Sequence, residues 1–176
     1  SNFVYKLNQF LPEDISVNSI RRVKDDAHAR FDALSRTYEY FINSKKTPFG
    51  NEFHYNLDQS LDIKAMKEAT KLLIQYDDFE CFSKSRTDVK TFICNISFAD
   101  WTLIDNGYKF TITANRFLRN MVRAIVGTIL DIGLKKKFLD DLTNIIENKD
   151  RSLAGFSVPA KGLFLTEIEY PKNIYL

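Results

Sequence analysis

The spacing of apolar residues changes along the chain between the period of a helix and that of a strand. Helical spacing predicts three helical segments: the tail of a helix over 3–10 ended by Leu11-Pro12, a helix over 63–75 with Asp62 as N-cap, and a short helix over 139–146. Alternating or aromatic-rich segments predict strands over 14–24, 36–42 and 163–170. A hairpin is predicted from two strands, 91–102 and 108–114, because Asp105-Asn106-Gly107 between them favours a tight turn.

The segment 114–123, Ala-Asn-Arg-Phe-Leu-Arg-Asn-Met-Val-Arg, predicts the start of an amphipathic helix that stops at Gly133. Arg116, Arg119 and Arg123 are three and four residues apart, so in such a helix they share one face. Gly127 follows on that face and permits a close approach by another part of the chain. The arginine face is either an anion site or the solvated side of a core helix.

The order of these elements predicts an α+β fold with a mostly antiparallel sheet and helices packed on one face. Such a sheet can leave its other face free for a ligand. Residues 1–14 are interpreted as the tail of a preceding helix or a linker, and residues 15–176 as a single α/β unit.

Composition narrows the function classes only a little. With 176 residues and 44% hydrophobic content the chain can bury the core of one domain, and its net charge of +2 permits nucleic-acid binding without requiring it. Cys81 and Cys94 lack any metal-binding spacing and only two histidines exist, so we expect unpaired structural cysteines, no metal and a cytoplasmic location. No segment of the sequence is apolar for long enough to span a membrane.

Alternation along the strand 36–42 places Arg36, Tyr38 and Tyr40 on one face. A guanidinium beside a tyrosine ring can bind a phosphate and stack on a base. The alternative is that both tyrosines simply fill the core between sheet and helices. His28-Ala29-Arg30 adds further basic character upstream.

Taken in order, several motifs closely resemble the tRNA pseudouridine synthase A family. The resemblance extends over nearly the whole chain, and Met121-Val122-Arg123 is its most specific part. The segments that show it are residues 28–33 (His-Ala-Arg-Phe-Asp-Ala), 35–40 (Ser-Arg-Thr-Tyr-Glu-Tyr), 114–128 and 160–165 (Ala-Lys-Gly-Leu-Phe-Leu).

The resemblance implies an enzyme that converts uridine to pseudouridine in the anticodon arm of tRNA, works as a homodimer and needs no metal or organic cofactor. The family's indispensable aspartate lies in a Gly-Arg-Thr-Asp-Ala-Gly-Val-His-like motif that is absent from this sequence. The chain is therefore expected to be the C-terminal lobe of such an enzyme, with the N-terminal lobe missing, and to be inactive alone.

Arg86-Thr87-Asp88 resembles part of that motif but continues as Val89-Lys90-Thr91 and follows the tyrosine strand instead of preceding it. Asp88 is therefore interpreted as a loop residue. Lys84, Arg86 and Lys90 in the same loop either contact phosphates or are merely solvated.

Position by position, Tyr38 resembles the family's active-site tyrosine, which stacks on the target base, and Arg123 resembles the basic residue that pairs with the catalytic aspartate. Leu163, following Gly162, resembles the apolar residue of the substrate pocket. Residues expected to contact tRNA are His28, Arg30, Arg36, Lys84, Arg86, Arg116 and Arg119.

Two alternatives remain open. The same arginine and tyrosine faces are compatible with an RNA-binding module without catalysis, and a structural or dimerisation domain with solvated arginines is also possible.

Overall fold

A computed structural model describes residues 2–48, 50–84 and 89–176 of the chain. Its helices are α1 (Asn2–Phe10), α2 (Ile63–Leu73), α3 (Met121–Gly133) and α4 (Leu139–Glu147). Its strands are β1 (Ser35–Asn43), β2 (Tyr55–Asn56), β3 (Ile96–Ile104), β4 (Gly107–Ala114) and β5 (Leu163–Glu169). The predicted α+β class and mostly antiparallel sheet are confirmed.

β1 is the central strand of the sheet. It pairs with β4 antiparallel on one side, and on the other with β5 antiparallel and the short β2 parallel, while β3 pairs with the far side of β4. The β1–β5 ladder has an irregularity between Thr37 and Tyr38, beyond which Tyr38 pairs with Leu165 and Tyr40 with Leu163. The residues of the 163–165 segment therefore lie directly beside the two tyrosines.

The predicted hairpin is confirmed, because β3 ends at Ile104 and β4 begins at Gly107. Gly107 has φ +158°, and a Cβ at this position would collide with the carbonyl oxygen of Ile42 in β1. Only glycine therefore lets β1 and β4 remain paired up to the turn.

The core lies on the face of the sheet that α2 and α3 cover. Tyr40 and Ile42 of β1 are fully buried there, whereas Phe41 between them is half-buried on the opposite face. Trp101 of β3 donates from Nε1 to Thr70 Oγ1 of α2 at 3.2 Å, so α2 lies against the same face. The predicted N-cap of α2 is confirmed, since Asp62 Oδ1 accepts from the amide of Ala65 at 3.0 Å.

The predicted start of the arginine helix is wrong. β4 continues to Ala114, which pairs with both Arg36 and Ile96, and α3 begins only at Met121. The backbone at Asn120 is left-handed, with φ 70°, which ends any helix that would start earlier. Cross-strand pairing therefore keeps Ala114 in the sheet, and residues 115–120 form an irregular segment and a turn that ends at the left-handed Asn120.

The predicted end of that helix is confirmed, but Gly133 is needed there for a different reason. It is the last residue of α3, and a Cβ on it would collide with Sδ of Met66 in α2. The left-handed residue that follows the helix is Lys135.

The chain divides into two compact units, one formed by the chain up to Ala33 together with Tyr170–Leu176, the other by Leu34–Glu169. In the described part of the first unit the predicted strand 14–24 does not form, and only Val23 makes an isolated bridge, to Tyr175. Ile15 and Ile20 are half exposed, because no neighbouring strand pairs with this segment to bury them.

Two further findings concern the described residues. Cys81 and Cys94 are buried free thiols, as expected. Within residues 2–48, 50–84 and 89–176, none of the helices has the length and apolar character that a membrane span requires.

Candidate active site

Residues 151–162, which we call the strap, consist of a turn, an irregular segment and a 3-10 helix over Ala160–Gly162, and they contact the first half of α3. The amide of Gly155 donates to Thr128 Oγ1 at 2.8 Å, and the amide of Val158 donates to the carbonyl of Arg123 at 3.2 Å. The predicted close approach at Gly127 is confirmed, because the carbonyl oxygen of Phe156 occupies the place of a Cβ.

Two consecutive carbonyls of the strap bind side chains from two different elements. Arg123 of α3 donates from Nε to the carbonyl of Val158 at 2.6 Å. Tyr40 of β1 donates from its hydroxyl to the carbonyl of Pro159 at 2.8 Å. The strap thereby holds the Arg123 side chain close to the face of β1 that includes Tyr38 and Tyr40.

Gly162 lies at the end of the strap and is buried against the Tyr40 ring. A Cβ there would lie 2.9 Å from both Tyr40 Cζ and the carbonyl oxygen of Phe41. A side chain larger than hydrogen would therefore push the strap away from β1. Leu163 follows on the same face as Tyr40 and is half-buried against the core.

The phenol of Tyr40 acts as a hydrogen-bond donor. Burial raises its pKa well above the ordinary value, nearby Tyr55 raises it further, and Arg123 only partly offsets both. The Tyr40 hydroxyl therefore stays protonated at neutral pH, and its part in the site is to hold the strap.

Tyr38 lies on the same face as Tyr40 but at the margin of the core. Its ring is half-buried and meets the ring of Phe117 edge-on, with the centroids 5.1 Å apart. Its neighbour Leu165 on β5 is 47% exposed, so the cover over this face ends beside Tyr38. Of the two tyrosines, Tyr40 is a core residue, whereas Tyr38 borders an uncovered surface on which a planar group can stack.

The predicted basic residues of this unit gather around the turn 115–120. Arg36 donates from Nη1 to the carbonyl of Asn115 at 2.7 Å, and the backbone amide of Lys84 donates to the carbonyl of Arg119 at 2.9 Å. Arg116 and Arg119 lie in this turn before α3, so they and Arg123 do not share the single helical face that was predicted. The predicted arginine face is therefore replaced by a basic turn, residues 115–120, that leads into the N-terminus of α3.

Comparison with known proteins identifies the family. A profile described as tRNA pseudouridine synthase matches residues 69–171, more than half of the chain. The chain belongs to the tRNA pseudouridine synthase family. The predicted resemblance is thereby confirmed.

The similarity to individual tRNA pseudouridine synthases extends over almost the whole chain. It is 51% identical over 173 residues to tRNA pseudouridine synthase A of Bacteroides thetaiotaomicron, covering 97% of this chain and 64% of that protein. It is 53% identical over 171 residues to the protein of that name from Bacteroides fragilis, with 97% and 68% covered. For the Bacillus subtilis protein of that name the identity is 39% over 168 residues, with 94% and 68% covered. The chain spans about two thirds of the length of these synthases.

His28 and Arg30, two further residues predicted to contact RNA, belong to the other compact unit. His28 Nδ1 accepts from the amides of Arg30 and Phe31 at 3.1 and 3.3 Å, and the amide of His28 donates to Asp32 Oδ2 at 2.7 Å. The His28 ring therefore stabilises the turn 28–32, with Nδ1 as acceptor. Arg86 and Asp88 lie outside the described residues.

Three polar side chains around the strap were not predicted from the sequence: Asn120, Arg151 and Ser157. Asn120 Nδ2 and Arg151 Nη2 donate to Ser157 Oγ at 2.5 and 2.9 Å, and Arg151 Nη1 donates to the carbonyl of Gly155 at 3.1 Å. An arginine and a serine in an irregular segment have no periodicity that signals a role. The one signal in the sequence is the residue type of Asn120, since asparagine directly before an apolar helical run is favoured at helix N-caps.

In the described part of the chain, residues 2–48, 50–84 and 89–176, no three His, Cys, Asp or Glu side chains are grouped so that they could hold a metal ion. The side chains of the site offer a ring for base stacking, positive charge and hydrogen bonding.

Proposed function

We propose that this chain is the part of a tRNA pseudouridine synthase A that contributes Tyr38, Arg123 and Leu163 to the active site, and that the catalytic aspartate lies outside the 176 residues. Family membership supports the reaction class. The absence of a Gly-Arg-Thr-Asp-Ala-Gly-Val-His-like motif from the sequence, together with the 64% coverage of the Bacteroides thetaiotaomicron protein, supports the division of the site.

The reaction requires that the glycosidic C–N bond breaks, the uracil rotates and a C–C bond forms. The target uridine must first leave the base stack, at a cost of about a few kcal/mol. Tyr38 offers a ring at the margin of the core for the flipped base, and half-buried Leu163 offers an apolar surface beside the strand. Stacking and apolar contact offset part of the cost of flipping.

Arg123 has an electrostatic role in this proposal. A guanidinium a few ångströms from a carboxylate keeps it ionised at neutral pH and holds its rotamer. The observation on which the proposal rests is that the consecutive carbonyls of Val158 and Pro159 bind Arg123 and Tyr40, which brings the guanidinium to the tyrosine face of β1.

We propose that tRNA binds along the turn that precedes α3. Phosphate contacts are assigned to four basic side chains around this turn and to three further basic side chains of the chain. The first group is Arg36, Lys84, Arg116 and Arg119, and the second is His28, Arg30 and Arg86. The anticodon arm as target, a homodimer and a cytoplasmic location are further parts of the proposal, supported by the family resemblance alone.

Pseudouridine formation on an unmodified tRNA transcript tests this function. Tritium at uracil C5 is released when the new C–C bond forms, so its release measures turnover. We expect release with the complete gene product and none with the 176-residue chain. Release by this chain alone would mean that the carboxylate is within it, with Asp88 the first residue to replace, by Asp88→Asn.

Inactivity of both proteins would contradict the proposed reaction. Salt-dependent binding of tRNA by the inactive proteins would then favour the RNA-binding module without catalysis. A lack of any such binding would leave the structural domain.

A further inference from the structure

We propose that Asn120 and Arg151, acting through Ser157, are positioning residues for Arg123. The inference rests on the proposed function, because it assigns to Arg123 a carboxylate partner in the complete synthase. It gives a role to Asn120, Arg151 and Ser157, to which the family resemblance assigns none.

The first step of the argument is the hydroxyl of Ser157. It lies one residue before Val158, whose carbonyl accepts from Arg123 Nε. Asn120 Nδ2 and Arg151 Nη2 both donate to Ser157 Oγ, so its two lone pairs are in use. One donor from the residue before α3 and one from the start of the strap thus hold the residue next to the Arg123 acceptor.

The second step is the unusual use of Asn120. An asparagine at a helix N-cap ordinarily accepts from the first free amides of the helix. Among the described residues, the Asn120 side chain forms no such capping bond to α3, and its amide instead donates to the strap. Its left-handed backbone, with φ 70°, directs the side chain there. The Asn120 side chain therefore links the start of α3 to the strap instead of capping the helix.

The third step is the consequence for the guanidinium. Arginine binds a carboxylate with two parallel hydrogen bonds, either through Nε and one Nη or through both Nη atoms. Nε of Arg123 is bonded to the Val158 carbonyl, so a carboxylate partner must bind end-on through Nη1 and Nη2. The position of the Val158 carbonyl therefore sets the position of the carboxylate.

The kinetic test uses the complete gene product with Ser157→Ala and Ser157→Thr. Misplacement of a catalytic group by about 1 Å can cost roughly 100-fold in rate. We expect Ser157→Ala to lower kcat by roughly 10- to 100-fold with KM for tRNA unchanged, and Ser157→Thr, which keeps the acceptor, to restore most of kcat.

Thr70→Val is the matched control. It also removes one hydroxyl that accepts a hydrogen bond, from Trp101 Nε1, but in the core between α2 and β3. We expect it to lower stability and to leave kcat unchanged. Asn120→Gly keeps the left-handed backbone and loses only the side-chain amide. Because Asn120→Gly and Ser157→Ala break the same linkage, we expect the double variant to have the same kcat as Ser157→Ala alone.

A second readout does not need activity. In the ¹⁵N-arginine spectrum of the 176-residue chain, the Arg123 Nε–H signal is assigned by its loss in Arg123→Lys. We expect a slowly exchanging signal that broadens in Ser157→Ala but not in Thr70→Val, since the bond to the Val158 carbonyl loosens only in the first.

The two proposals fail in distinguishable ways. An inactive complete gene product would contradict the proposed function, while the Nε–H signal would still test the linkage. Normal kcat for Ser157→Ala in an active enzyme, or an unchanged Nε–H signal, would overturn the positioning role. A fall in kcat equal to that of Thr70→Val would also overturn it, since general destabilisation would then account for the effect.

Discussion

At the residue scale, Tyr38 and Tyr40 lie on the same face of β1 but have different roles. Tyr40 is fully buried, and its hydroxyl donates to Pro159. Tyr38, two residues earlier, is half-buried beside the exposed Leu165. Alternation predicts that both lie on the same face, and that is correct. Which of them borders the open surface depends on where the helices and the strap end.

Substitutions at Tyr38 separate its ring from its hydroxyl in the complete gene product. We expect Tyr38→Phe to keep stacking and lose only what the hydroxyl contributes, and Tyr38→Ala to lose both. Turnover and tRNA affinity, measured for each variant, give the two contributions. Wild-type turnover in both variants would show that Tyr38 only fills the margin of the core.

At the scale of elements, α3 and the strap are best understood together. The sequence predicts the apolar stripe and the end of α3 but places its start too early, because the helical pattern extends back into β4. Residues up to Ala114 satisfy their backbone hydrogen bonds with β1 and β3. A local pattern contains no information about these pairing strands, which are far away in sequence.

Gly127→Ala tests the contact between these two elements. In an exposed helix this change stabilises by about 1 kcal/mol, through helix propensity. Here a Cβ meets the backbone carbonyl of Phe156, which cannot move without disturbing the bonds at Gly155 and Val158. We therefore expect the opposite sign, a net loss of about 1–3 kcal/mol in the free energy of unfolding by urea.

Gly133→Ala in the same helix is the control for Gly127→Ala. There the Cβ meets the flexible end of Met66, so we expect a smaller loss. A stabilising Gly127→Ala would show that the strap does not lie against α3 as described.

At the scale of the whole molecule, unfolding exposes buried groups whose protonation differs between the two states. Burial, and secondarily the nearby Asp78 carboxylate, raises the pKa of the Cys81 thiol from 9.0 to about 12. The folded state keeps this proton, while the unfolded state releases it above its ordinary pKa. The contribution of the buried Cys81 thiol to stability is therefore fully present below about pH 9 and is lost as the pH rises toward 12.

Titration of Cys81 makes the free energy of unfolding fall as the pH rises from 9 to 12. We expect Cys81→Ala to remove this contribution, so that the slope becomes shallower by about 1 kcal/mol per pH unit. The free energy of unfolding, measured at intervals across this range for both proteins, gives the two slopes. The cavity lowers the stability of Cys81→Ala at every pH and leaves the comparison of slopes intact. Identical slopes would show that the thiol is not kept neutral by the fold.

The sequence by itself determined the fold class, the strand over 36–42, the hairpin, the N-cap at Asp62 and the family, because each depends on residues close together in the chain or on a motif. It failed for residues 14–24, which have no pairing strand, and for residues 114–120, where β4 pairs up to Ala114 and the left-handed Asn120 delays the helix to Met121. Only the tertiary structure linked Asn120, Ser157 and Arg151 to Arg123, since side chains from a turn, a helix and a strap meet there through contacts of 6–37 residues in sequence separation. Hydrogen bonding is decided by distance in space, which local patterns along the chain do not contain.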